Sequence, residues 1–269
     1  MIKKSFKTLS FALLALLVTF TSCKKDEPEE AVTTVPAVTP EPTPTPPTAG
    51  SPTPAQFGNA TSNSDGALIA IKTASTTSAA GQSFETVIGT GVAYFTNTAG
   101  NFSTFVDAGA VSLEGTALEI QENKSYVHVP GATIPTGISF SGGADWTVAG
   151  AGSISAFNAT FSRFPATPDI TSTAAIKKNS VYTVTYDAAS SDTVFVSIYS
   201  GLVSITKGIK AKSGSNSVEF TAAETKDMTV GDGAALVQVA LANFKTDSLG
   251  SKNYVLINET VVTELMKVE

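Results

Sequence analysis

Four side chains that usually carry chemistry occur once each in 269 residues: Cys23, His128, Arg163 and Trp146. A single cysteine leaves no disulfide, so stability has to come from burial. A lone His128, alternating with Tyr126 on a predicted strand, cannot complete a Ser-His-Asp or Cys-His arrangement without a neighbouring nucleophile. One histidine and one cysteine do not build the usual zinc sites. The acidic loop pattern of an EF-hand calcium site is missing too, so no cofactor is expected. Arginine scarcity has its own consequence. Tracking phosphates needs clustered Lys and Arg, no segment supplies them, and nucleic acid is not an expected partner.

Charge is also sparse. Asp, Glu, Lys and Arg make up 15% of the chain, with 23 acids against 17 Lys and Arg and a formal net charge of −6. What fills the space is Thr, Ser, Ala and Gly, a composition that gives a neutral, hydroxyl-rich surface.

The longest apolar run, Leu9 to Phe20, has twelve residues and follows Lys3, Lys4 and Lys7. A membrane-spanning helix needs about twenty, so residues 1–22 read as a secretory signal with a charged start and an apolar middle. Small Thr21 and Ser22 then precede the only cysteine. This stretch resembles the processing box of bacterial lipoproteins, although Phe20 stands where leucine is more usual. The resemblance implies a diacylglyceryl group and an N-acyl chain on Cys23. One acyl chain holds a protein to a bilayer only marginally, whereas two or three make release very slow.

After Cys23 come Lys24, Lys25, Asp26, Glu27, Pro28, Glu29 and Glu30, with four acids in five positions. This run resembles the export signal that follows the lipidated cysteine in surface lipoproteins of the Bacteroidota. That likeness covers only about thirty residues, and it implies a lipid-anchored, outer-membrane, surface-exposed protein. Loss of Lys3, Lys4 and Lys7 with the signal takes the mature charge to about −9.

Residues 23–64 read as a lipidated, disordered linker. Pro36, Pro40, Pro42, Pro44, Pro46, Pro47, Pro52 and Pro54 are interleaved with Thr, Ala, Val and Glu. Proline at this density removes backbone donors and favours polyproline II, and no periodicity offers a core. At roughly 3.1 Å per residue, residues 31–56 would reach about 80 Å.

From Gly66 the pattern changes to short apolar runs separated by Gly, Asn, Ser and Asp, which predicts an all-β fold. Ala67–Lys72 and Thr86–Thr96 are the first predicted strands. A turn at Thr98–Asn101 is expected to lead into a returning strand, Phe102–Asp107. Further short strands are expected at 111–113, 117–120, 125–129, 137–140, 145–149 and 156–161. Pro165 and Pro168 then mark a boundary. Beyond it, strands are expected at 181–186, 193–199, 203–210, 217–220, 234–243 and 254–264. Thr221-Ala222-Ala223-Glu224 reads as a capping box opening a short helix. Two sandwich units follow: a β-sandwich over 65–165 and an immunoglobulin- or fibronectin-III-like one over 166–269.

Trp146 is the candidate ligand contact, because an exposed tryptophan makes a platform for a sugar ring. Its shared strand face with Val148 points instead to a core position. Tyr182, Tyr186 and Tyr199 pose the same question more weakly. Asp107, Glu114, Asp145, Asp169, Asp187, Asp192, Asp227, Asp232 and Asp247 lie in or near predicted turns. Two converging acids about 5–10 Å apart would suit glycoside hydrolysis, but sequence spacing singles out no pair. Asp192-Thr193-Val194 and Asp247-Ser248-Leu249 resemble the O-glycosylation acceptor of the same bacteria, with Ser248 in a predicted loop and Thr193 opening a strand. The expected role is therefore non-catalytic: binding an extracellular glycan or a surface protein. A structural spacer in a surface complex is the alternative, and a carboxylate-dependent hydrolase comes after it.

Overall fold

The computed structural model describes residues 62–79, 82–128, 130–131, 133–188, 191–210 and 214–269. The signal, Cys23, the acidic run and the proline-rich stretch lie outside the described residues. From Gly66 onward the described residues form fifteen strands and one short helix. They begin with β1 (Gly66–Ala79), β2 (Gln82–Phe95), β3 (Val111–Leu113), β4 (Thr116–Ala117), β5 (Glu119–Ile120) and β6 (Tyr126–His128). Next come β7 (Ala144–Val148), β8 (Phe157–Phe161), β9 (Asp169–Ile170), β10 (Tyr182–Ala188), β11 (Thr193–Ser200) and β12 (Val203–Lys210). The chain finishes with β13 (Gly214–Phe220), the helical turn Ala222–Thr225, β14 (Gly231–Leu249) and β15 (Lys252–Val268).

Eight of these strands make one large sheet, in the order β12-β11-β14-β15-β1-β2-β6-β5. Its spine is the β14–β15 hairpin, closed by Gly250 and Ser251 between paired Leu249 and Lys252, with Gly250 at φ +65°. A two-residue hairpin loop needs positive φ, which glycine adopts without steric cost. Tyr254 to Val262 are buried without a break. That run is apolar and β-branched enough to be covered on both faces of a sheet, so it does not alternate. β1 pairs with β15 in parallel, from Gly66 beside Tyr254 to Ser75 beside Thr263. A local clamp holds that register: Asp65 takes the Lys252 ammonium at 3.1 Å and accepts from the Asn253 amide at 3.0 Å.

Strand parity sorts the side chains into three cores. On one face of the large sheet, Leu68, Ala70, Ala93, Phe95, Tyr254 and Leu256 meet the four-stranded sheet β4-β3-β7-β8. Farther along that face, Val262, Met266, Val268, Val237 and Val239 meet the three-stranded sheet β13-β10-β9. The opposite face carries a third cluster, with Ile69, Ile71, Val92, Tyr94, Val255, Ile257 and Val261 among its members.

Several expectations change here. The strand expected over Phe102–Asp107 does not form. Phe102 and Phe105 instead pack on Tyr94, with ring centroids 5.5 and 5.1 Å away, at one end of the third cluster. Those aromatics gain more from covering an apolar face than from pairing at an edge. Residues 137–140 also stay irregular, paired with the sheet by a single bridge between Gly137 and Gly89. The boundary expected at 165 falls where the chain passes from one small sheet to the other. Both small sheets rest on one large sheet, in which C-terminal β15 lies between β14 and N-terminal β1. The pair at its centre, β1 with β15, is parallel. The capping box, by contrast, is complete. Glu224 N–H donates to the Thr221 hydroxyl, and the Glu224 carboxylate accepts from Thr221 N–H at 2.7 Å.

Candidate functional site

Where the two small sheets adjoin, the large sheet presents a row of polar residues in place of apolar ones. Asn243 pairs with Asn258, Thr260 lies beside Lys72, and Lys72 lies beside Gly89. Three of these side chains hold the backbone that crosses from one small sheet to the other. Asn258 Nδ2 donates to the Phe161 carbonyl at 2.5 Å, Asn243 Nδ2 to Arg163 at 3.1 Å, and Thr260 Oγ1 to Pro165 at 2.7 Å. Phe161 and Pro165 are the buried points of this crossing segment, and carbonyls that water cannot reach need side-chain donors.

On the other side of Lys72 the 136–140 segment rests directly on Gly89. Gly89 N–H donates to the Thr136 carbonyl and the Ile138 N–H donates back to the Gly89 carbonyl, each at 2.9 Å. Any Cβ at position 89 would run into the Ile138 carbonyl, so this approach requires glycine. Between the crossing segment and the 136–140 segment lies a cleft of about 340 Å³. Ala74 and Val87 contribute apolar surface, and Thr136, Ser139 and Thr167 line it with exposed hydroxyls.

Lys72 is the cation of this cleft. Its ammonium sits 4.0 Å from the centre of the Phe164 ring and 5.7 Å from that of Phe140. The two rings are themselves 4.9 Å apart, tilted by 49°. No carboxylate reaches Lys72 within ion-pair distance among the described residues. Burial lowers its pKa, and the field of Glu114 offsets part of that shift. Glu114 is itself engaged, its Oε1 accepting from the Asp145 amide at 2.8 Å. The cleft therefore offers a held positive charge, an aromatic backing and several hydroxyls, with no nucleophile–base pair among its lining residues.

Lys72 was not among the residues singled out from sequence. Its signal is the parity of Leu68, Ala70, Lys72 and Ala74, a charge on the inward face of an otherwise apolar strand.

The residues that were singled out fall elsewhere. Trp146 is only 1% exposed, lies across from Leu113 and Ala159, and belongs to the first core; it is no platform for a sugar. The pattern on β7, buried at Ala144, Trp146 and Val148 and exposed between them, is the reason. Tyr182, Tyr186 and Tyr199 are buried as well. His128 sits across from Gly91, its Nε2 buried with no hydrogen-bond partner among the described residues. The turn acids are mostly tied to their own neighbourhoods. Asp107 accepts from Gly109 N–H and the Tyr126 hydroxyl, and these bonds hold its carboxyl below the usual range. Asp145 takes the Thr160 hydroxyl, Asp187 that of Ser215, and Asp192 the Phe244 amide. Among the described residues no three His, Cys, Asp or Glu side chains come together as a metal site.

Ser248 lies near the end of β14, paired with Asn253, and not in a loop. It remains exposed, its hydroxyl donating to Asn253 Oδ1 at 2.6 Å. Thr193 opens β11 between Ala242 and Lys210, with its hydroxyl given to the Ile209 carbonyl. Comparison with protein-family models, curated proteins and solved structures finds no match to the chain.

Proposed function

We propose that this chain is an outer-membrane lipoprotein, lipid-anchored at Cys23 and displayed at the cell surface, whose folded part is a non-catalytic module binding an extracellular glycan or surface protein. The signal, the cysteine after Thr21 and Ser22, and the acidic run support the anchor and location. The observation that carries the binding role is the cleft around Lys72, where a cation without an ion-pair partner among the described residues meets exposed hydroxyls and two aromatic rings. The fold-level part of the reading is two sandwich-like units fused through one shared sheet. A rigid spacer is the second reading, favoured by the buried Asn243, Asn258 and Thr260 contacts that hold the crossing segment.

The test is made on the lipidated protein in cells and in detergent. Palmitate labelling is expected for the natural chain and not for Cys23→Ala, and protease added to intact cells is expected to remove the folded part. Purified protein is then screened against neutral and acidic oligosaccharides and, after cross-linking, for neighbouring proteins. No saccharide bound, with a cross-linked neighbour unaffected by changes in the cleft, would favour the spacer.

A further inference from the structure

We infer that the cleft around Lys72 takes the carboxylate or sulfate group of an acidic saccharide; this rests on the binding reading above and gives it a ligand class. The charge balance comes first. The chain is acidic, yet the side chain projecting into this cleft is a lysine with no carboxylate within ion-pair distance among the described residues. A partly desolvated ammonium without a counter-ion is costly, and an incoming anion offsets that cost directly. The Phe164 and Phe140 rings hold the ammonium by cation–π attraction, which is electrostatic and brings no counter-ion.

The surroundings suit a sugar more than a bare ion. Thr136, Ser139 and Thr167 come from two different segments and bring three hydroxyls without a hydrogen-bond partner among the described residues, each able to donate or accept. Hydroxyls of both roles match sugar hydroxyls, while Ala74 and Val87 meet the less polar face of a ring. About 340 Å³ lies at the small end of ligand sites, room for a terminal unit and not for the middle of a long chain. Glu114 is the acid whose field reaches Lys72, and the backbone N–H of Asp145 engages it.

The experiment titrates the lipidated protein in detergent with three probes: oligogalacturonate, sulfated chondroitin oligosaccharide and neutral cello-oligosaccharide. Inorganic sulfate serves as a free-anion control. At least one acidic oligosaccharide is expected to bind ten-fold or more tighter than both the neutral one and sulfate. Its affinity should fall as salt rises. Lys72→Met should lose ten-fold or more, and Lys72→Arg should recover most of that loss. Both variants are to be checked by thermal melting, because methionine keeps the chain length over Phe164 and arginine keeps the charge. Equal binding of neutral and acidic sugars, or acidic binding untouched by Lys72→Met in a folded protein, overturns the anion inference and leaves the binding reading standing. Tight binding of inorganic sulfate alone also overturns it. Absence of any saccharide or protein ligand removes the binding reading, and this inference with it.

Discussion

Glu259 gives the sharpest quantitative test of how this molecule is assembled. It lies on β15 across from Ile71 and Ala242, between Ile257 and Val261, and is only 2% exposed. It has no ion pair or hydrogen bond among the described residues, and burial pushes its carboxyl up to about 8. An ordinary glutamate in the unfolded chain titrates near 4.5. Between those values the folded state keeps the proton and the unfolded state has lost it. Stability must therefore fall as pH rises, by about 1.4 kcal/mol per pH unit over that window. The ceiling is roughly 5 kcal/mol, and relaxation of backbone and water should leave a few kcal/mol of it.

Glu259→Gln removes the ionisation at nearly constant volume. Near pH 5 the variant should lie within about 1 kcal/mol of the parent, because the parent carboxyl is neutral there too. By pH 9 it should be more stable by a few kcal/mol, about 5–10 °C in Tm. Urea unfolding followed by Trp146 fluorescence suits the measurement, since this single buried tryptophan becomes exposed on unfolding. Taking the difference between parent and variant cancels the titration of every other group. A difference that stays flat from pH 5 to pH 9 would refute the reasoning, because the carboxyl would then have to be solvated or paired.

Gly89→Ala should lower stability by about 1–3 kcal/mol, by forcing the Ile138 carbonyl off the sheet, and should weaken any cleft ligand; melting and titration check both. Trp146→Ala should cost about 3–5 kcal/mol in urea unfolding while leaving ligand affinity unchanged at temperatures where it stays folded, as befits a core residue. Thr260→Val should cost about 1–3 kcal/mol, because the buried Pro165 carbonyl loses its donor; amide exchange across residues 161–168 should accelerate.

Much of the β pattern was legible locally. The runs around Thr193–Ser200 and Val203–Lys210 alternate or end in turn residues, and both appear as strands close to where their residues predict them. The shared strand face of Trp146 and Val148 already pointed inward, and period-two geometry made that sufficient. The Thr221–Glu224 capping box was legible because all its partners lie within one turn. Phe102–Asp107 misled, since an apolar run shows that residues are covered without showing by what. Lys72 was passed over because a lysine on a strand is ordinarily an exposed edge charge, and its inward parity matters only once a layer lies over it.

By itself the sequence determined the β composition, the short helix and the shared inward face of Trp146 and Val148. Only the tertiary structure decided that β1 lies parallel to β15, nearly the whole folded length away in sequence. Parallel pairing leaves no local turn signal; it follows from the Asp65 clamp and from faces that bury together. That pairing brings Thr260, Lys72 and Gly89 into one row, and the cleft exists because two small sheets adjoin across it.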